Sequence, residues 1–188
     1  MNITAVVLSA HPYARRWPGI EVLVHHAVVR DAREFLLARF AAALKVRTRQ
    51  FFFLDDDDDL PEDYLDVLAR CAAPRAALAY TDELIRLPDG TQYATRRAPY
   101  SQAAHLRDPQ LLHHLVLCDS SAAHAAIERL PRLHYHPEML LGWELAKQGA
   151  HFEPAIGYVW NKRSSGMHTW PSMSISQMQA VLWCKAHP

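Results

Sequence analysis

Five consecutive aspartates, Asp55 to Asp59, follow directly on the apolar run Phe51-Phe52-Phe53-Leu54 and lead into Leu60-Pro61-Glu62-Asp63-Tyr64-Leu65, which reads as the start of a helix. Neighbouring carboxylates repel one another and resist losing water, so a chain that keeps them at the tip of a buried strand is set up to neutralise them with a cation. The spacing Asp55-x-Asp57 puts two carboxylates on one side of an extended backbone. There they can share a Mg²⁺ or Mn²⁺ whose other positions go to water and phosphate oxygens. An EF-hand loop does not fit, because its sixth position holds Leu60 in place of Gly and its twelfth Asp66 in place of Glu. A solvated acidic loop is the plain alternative for any acidic run, but such a loop does not usually cap a Phe-Phe-Phe-Leu strand.

The elements that must position these acids are legible in the first half of the chain. Residues 3 to 9, 20 to 25 and 50 to 54 read as short buried strands, rich in β-branched and aromatic residues. Residues 31 to 45 place Leu36, Phe40, Ala43 and Leu44 on one side of a helix with Asp31 as N-cap. A second helix carries Leu60, Tyr64, Leu65 and Leu68, with Pro61 in its first turn, and residues 76 to 81 read as a further strand. Strand and helix alternate, which implies an α/β sandwich with a mostly parallel central sheet. In such sheets ligands bind beyond the C-terminal strand ends, where the aspartates fall. Further on, Glu83 to Leu87 and Thr91 to Ala94 flank a Pro88-Asp89-Gly90 turn as a hairpin. Helices are expected over 121 to 129, 137 to 148 and 174 to 185, and the polar stretch 95 to 110 has no assignable pattern.

With 188 residues, half of them apolar, the chain can bury one core and reads as a single domain, 1 to 188. Twenty basic residues balance twenty acidic ones, so no global field draws it to nucleic acid or to an anionic membrane. The three cysteines, Cys71, Cys118 and Cys184, form no CxxC pair, which suits a reducing, cytoplasmic setting. No segment approaches the roughly 20 apolar residues of a spanning helix, and the apolar start of the chain lacks a basic leader, so no membrane anchor is expected.

The stretch Phe53-Leu54-Asp55-Asp56-Asp57-Asp58-Asp59-Leu60-Pro61-Glu62-Asp63-Tyr64-Leu65 resembles the strand-end Asp-x-Asp and Leu-Pro-x-x-Tyr-Leu of the GT-A-type, family-2-like glycosyltransferases. A second match, Pro137-Glu138-Met139-Leu140-Leu141-Gly142-Trp143-Glu144-Leu145-Ala146-Lys147-Gln148-Gly149, is similar to the family's helix that opens on a Glu-Asp pair and ends in Leu-Ala-x-x-Gly. A third, Tyr158 to His168, is similar to its late strand with an aromatic-basic end and a His. The resemblance implies a compact GT-A-like, nucleotide-diphospho-sugar transferase sandwich. It implies Asp57 as direct metal ligand, Asp55 nearer the ribose or the metal waters, and His168 completing a Mn²⁺ or Mg²⁺ site. It also implies Asp56, Arg39, His11, Lys162 and Arg163 on the donor, and Glu138 as the base that takes the acceptor's proton, with Glu144 as the other candidate. His136 and Trp143 are the candidate acceptor-facing residues. The family's Asp-Asp-Gly-Ser-x-Asp stretch after the second strand is replaced here by His25-His26-Ala27-Val28-Val29-Arg30-Asp31.

The expected function is transfer of a sugar from a nucleotide-diphosphate sugar, a UDP-sugar favoured, to a hydroxyl acceptor. DNA carrying a hydroxymethylated base is one such acceptor, and Arg96, Arg97, Tyr100, His105 and Arg107 are then the candidate backbone contacts. Two other readings share the acids. One is a haloacid-dehalogenase-like Mg²⁺ phosphohydrolase with Asp55 as nucleophile, whose nucleophile strand, however, normally opens the fold. The other is a GT-A-like binding module without turnover. The remaining histidines, His25-His26, His113-His114 and His134, have no HExxH or Cys-pair spacing and read as structural or acceptor-lining.

Overall fold

The computed structural model describes residues 1–131, 136–163 and 171–188. A seven-stranded sheet forms its centre, built from β1 (Ile3–Ser9), β2 (Glu21–His26), β3 (Gln50–Asp55), β4 (Leu78–Arg86), β5 (Gln92–Thr95), β6 (Val116–Asp119) and β7 (Ala150–Asn161). β1 pairs in parallel with β2 and β3, and β7 in parallel with β4. β6 joins the two groups by running antiparallel to both β3 and β4, and β5 folds back on β4 as a hairpin. Five of the seven strands therefore run one way, and their C-terminal ends share one edge.

β3 shows why the sheet is buried on both faces. Phe51 and Phe53 join a core cluster with Leu36, Phe40 and Trp143, whereas Phe52 and Leu54 join another with Tyr64, Val67 and Leu68. That is the two-residue alternation of a strand in a two-layer sandwich. α1 (Ala32–Ala43), α4 (Ser120–Arg129), α5 (Pro137–Ala146) and α6 (Pro171–Ala186) supply the first layer, and α2 (Tyr64–Ala72) the second. Asp31 caps α1 by accepting the Glu34 N–H at 2.8 Å.

Several expectations shift. α2 begins at Tyr64, so Pro61 precedes the helix, where its carbonyl accepts the Tyr64 N–H. The strand expected over 76 to 81 and the first arm of the hairpin are one continuous strand, β4. The stretch 95 to 110 contains a short helix, α3 (Gln102–Arg107), capped by Ser101. β6 is only four residues long and continues the apolar stretch that starts at Leu115, which hides its period.

Candidate functional site

The parallel strands end around one cavity of about 630 Å³. Leu8 and Ser9 end β1 and Ala10 and His11 follow it, Ala27 to Val29 follow β2, Asp55 to Asp57 close β3, and Tyr158, Trp160, Asn161 and Arg163 come from the end of β7. The opposite wall carries Arg39 and Phe35 from α1, His113 and His114 from the loop before β6, and His136 and Glu138 at the start of α5. The volume falls within the few hundred to a thousand Å³ usual for small-molecule sites.

The five aspartates divide into two groups. β3 ends at Asp55, and Asp56 and Asp57 enter a turn, so only the first acid is on extended backbone; all three nonetheless line the cavity. Asp55 follows Phe51 and Phe53 on the α1 face, and there its carboxylate meets the Arg39 guanidinium. Asp56 accepts the Ser9 hydroxyl at 2.5 Å, and that hydroxyl accepts the His11 N–H at 3.2 Å. Asp57 pairs with Arg163 at 2.8 Å. Burial pushes Asp57 above the usual carboxylate range, against the pull of Arg163 and with Asp55 and Asp56 adding to the push.

Asp58 and Asp59 face the other way. Asp58 is 1% exposed; it accepts the Tyr158 hydroxyl at 2.8 Å and the Asn161 N–H at 2.7 Å. Burial first, and then the nearby Asp55 charge, raise it to about 8. Asp59 exchanges backbone hydrogen bonds with Val159, and its carboxylate takes Arg15 at 2.7 Å, Asn161 Nδ2 at 3.0 Å and Arg86 at 3.3 Å. These two acids fasten the loop to β7. Tyr158 joins the groups, because its hydroxyl also accepts the Asp55 N–H at 3.0 Å.

Arg39 joins Asp55 to Glu138. One terminal nitrogen binds Asp55, the other lies 2.8 Å from Glu138 Oε1, and the guanidinium packs over the rings of Phe35 and Phe53. Burial would raise Glu138, but the Arg39 guanidinium holds it below the usual carboxylate range. Its Oε2 is buried without a hydrogen-bond partner, 3.3 Å from His136 Nδ1. Burial takes His136 down to about 4, so its imidazole is neutral. Asp55 and Asp57 thus line the cavity with oxygen donors, the ligand type that Mg²⁺ and Mn²⁺ select. Across from them stands a buried, ionised carboxylate.

Other expected residues are placed differently. Glu144 pairs with Lys147 at 2.9 Å beside a separate pocket with Arg129 and Trp183, so it does not share the cavity with Glu138. Trp143 is 1% exposed in the core and donates its indole N–H to the His187 carbonyl, which removes it from the acceptor side. Lys162 lies over the Trp160 ring and is not on the cavity wall. His168 and His134 lie outside the described residues.

The expected DNA-backbone residues divide between the core and the surface. Arg97 binds Glu83 at 2.5 Å with its side chain 4% exposed, His105 is fully buried, the Tyr100 hydroxyl points inward, and Arg96 is held by Asp82 at 2.8 Å. The buried Glu83 of β4 draws Arg97 in, whereas Arg96, 68% exposed beside Asp82, and Arg107 stay at the surface. The sequence reading missed Glu83 as a neighbour of the cavity. The available signal was two acids inside an otherwise apolar strand.

No protein-family model matches the sequence, and no curated protein matches it. Solved structures do. This chain shares its fold with S. aureus TarS. Against TarS 1-349 the TM-score is 0.61 at 10% identity, covering 86% of this chain and 60% of that one. Against the same fragment in complex with UDP-GlcNAc it is 0.63 at 11% identity, covering 90% and 61%. Against a longer TarS chain it is 0.60 at 10% identity, covering 86% and 37%. The chain therefore spans less than two-thirds of the length of these TarS structures, and it shares their fold, mixed α/β with mostly parallel strands. Among the described residues no helix is long and apolar enough to cross a membrane.

Proposed function

We propose that this chain is a divalent-metal-dependent glycosyltransferase that moves a sugar from a UDP-sugar to a hydroxyl acceptor in the cavity at the strand ends. The observation that carries this reading is the arrangement of Asp55, Asp57 and Glu138 around one cavity, with the buried Glu138 Oε2 uncommitted. The fold shared with a UDP-GlcNAc complex of TarS supports the choice of donor.

Asp55 and Asp57 would hold Mn²⁺ or Mg²⁺, which supplies charge neutralisation for the diphosphate leaving group. Arg163, more exposed than its partner Asp57, releases that carboxylate and turns to the diphosphate. Ala27, Val28, Val29 and Phe35 form an apolar face for the nucleoside where the resembled family has acids. The acceptor oxygen forms its bond to C1 of the sugar as the bond from C1 to the diphosphate oxygen breaks, and its proton passes to Glu138 Oε2. Arg39 keeps Glu138 ionised and therefore able to accept it.

Release of UDP from UDP-GlcNAc, UDP-glucose and UDP-galactose, measured with and without Mn²⁺, tests the reading. Metal-dependent release from at least one of them, lost in Glu138→Gln, is expected. No release from any UDP-sugar at any metal concentration would overturn it.

A further inference from the structure

On the cavity wall beside Tyr158 lies a cluster that the proposed transfer does not use, next to the aspartates: His114 also offers a ligand atom within 4.8 Å of Asp55 and Asp58. Glu83 of β4 is 3% exposed, and Arg97 occupies its Oε1. Its Oε2 is directed at two imidazoles: it contacts His114 Nδ1 and lies 3.9 Å from His113 Nδ1. The His113 nitrogen is buried and has no hydrogen-bond partner. A ligand atom from each of Glu83, His113 and His114 falls within 4.8 Å of the other two.

The backbone is shaped to bring the imidazoles here. His114 adopts φ of 60°, a left-handed conformation uncommon for a residue with a side chain, and its ring stacks on Tyr158 at 4.6 Å with the planes 6° apart. His113 lies edge-on to Trp160 at 5.9 Å. Residues held in such backbone regions concentrate at functional sites. Both imidazoles line the cavity, and Glu83 closes the cluster from behind.

We propose that Glu83, His113 and His114 form a second divalent-metal site of the nitrogen-preferring, zinc-like class, with its open coordination position facing the cavity. Two histidines and one glutamate are a ligand set that binds Zn²⁺ tetrahedrally and leaves the fourth position to an exogenous oxygen. Imidazole selects such metals over Mg²⁺, whereas the all-oxygen aspartate loop selects Mg²⁺ or Mn²⁺. Two ligand atoms on one tetrahedral ion stand roughly 3.3 Å apart, so the 3.9 Å gap from His113 to Glu83 closes with a small rotation of the imidazole. Arg97 acts as the outer partner that orients Glu83, as such partners do in metal sites. The oxygen taken by the open position comes from a hydroxyl or anionic group in the cavity. The site stands whether or not the aspartates take a nucleotide sugar.

Co²⁺ and Zn²⁺ titrations of the full chain test this, read by the visible absorption of bound Co²⁺ and its displacement by Zn²⁺. One equivalent of strongly absorbing, four-coordinate Co²⁺ is expected in the wild type and equally in Asp57→Ala, since Co²⁺ on the oxygen-only aspartates adds little absorption. In His113→Ala and Glu83→Gln the affinity should fall by more than the roughly 10–100-fold that loss of an outer-shell partner costs. His113→Asp, which keeps a ligand at that position, should restore binding with an altered spectrum and controls for misfolding alongside a melting curve. Absence of Co²⁺ binding in the folded wild type, or binding unchanged in both His113→Ala and Glu83→Gln, would overturn the site. Binding lost in Asp57→Ala but kept in His113→Ala would also overturn it, by placing the ion on the aspartate loop and leaving the donor reading intact.

Discussion

Asp55 to Asp57 and Asp58 to Asp59 are the same residue in one unbroken run, yet the chain uses them in opposite ways. The first three are half-buried and each meets the cavity: Asp55 is held by the buried Arg39, Asp56 by the Ser9 hydroxyl and Asp57 by the exposed Arg163. The last two are tied to β7 by the Tyr158 hydroxyl, the Asn161 N–H and side chain, and a pair of backbone hydrogen bonds. The difference teaches that an acidic run is not one site. Its first part can exchange partners for a ligand, and its second part holds the first in place.

Substitutions should separate the two parts. The largest effect is expected for Asp57→Ala, which on the proposed mechanism removes a metal ligand worth several kcal/mol in the transition state. Transfer should fall on the order of a thousandfold, while the melting temperature stays close to that of the wild type. Glu138→Gln should lower turnover by about 10²–10⁴-fold with donor affinity kept, measured as kcat against donor Kd.

Asp58→Ala should reverse that pattern. It leaves the buried Tyr158 hydroxyl and Asn161 N–H without their acceptor and should lower stability by about 2–4 kcal/mol in urea unfolding. Asp58→Asn should cost much less, because an amide can accept from Asn161 and donate to Tyr158. The pH dependence sharpens this. In the metal-free protein Asp58 is raised to about 8 from an unfolded value near 3.8, so the folded state holds the extra proton. Its contribution is then complete below about pH 4 and is lost as pH rises toward about 8. That downward slope should flatten in Asp58→Asn, and an unchanged slope would assign it to another group. The smallest effect belongs to Glu144→Gln, whose surface pair with Lys147 should be worth less than about 1 kcal/mol and whose loss should leave turnover unchanged.

Much of this was readable in the sequence where one local pattern dominated. β1, β3 and α1 with its Asp31 cap follow from pattern and capping, and the acidic run at the end of β3 located the cavity's acid side. The division of the aspartates was not readable, because it depends on which of them meets β7, about a hundred residues later in the chain. Arg39 as a bridge between Asp55 and Glu138, and Glu83 beside His113 and His114, are likewise products of sheet order. β6, which places the His113-His114 loop, is too short to announce itself. Trp143 illustrates the reverse error: on a helix that is apolar nearly all round, motif position alone did not say which face is core.

Calorimetric titration of UDP-GlcNAc and other UDP-sugars into the wild type and Asp57→Ala, each with Mn²⁺ and with chelator, tests the central claim most directly. The account predicts saturable binding of at least one UDP-sugar to the wild type with Mn²⁺, abolished both by chelation and by Asp57→Ala. Binding that survives both, or no binding of any UDP-sugar to the Mn²⁺-loaded wild type, would contradict it.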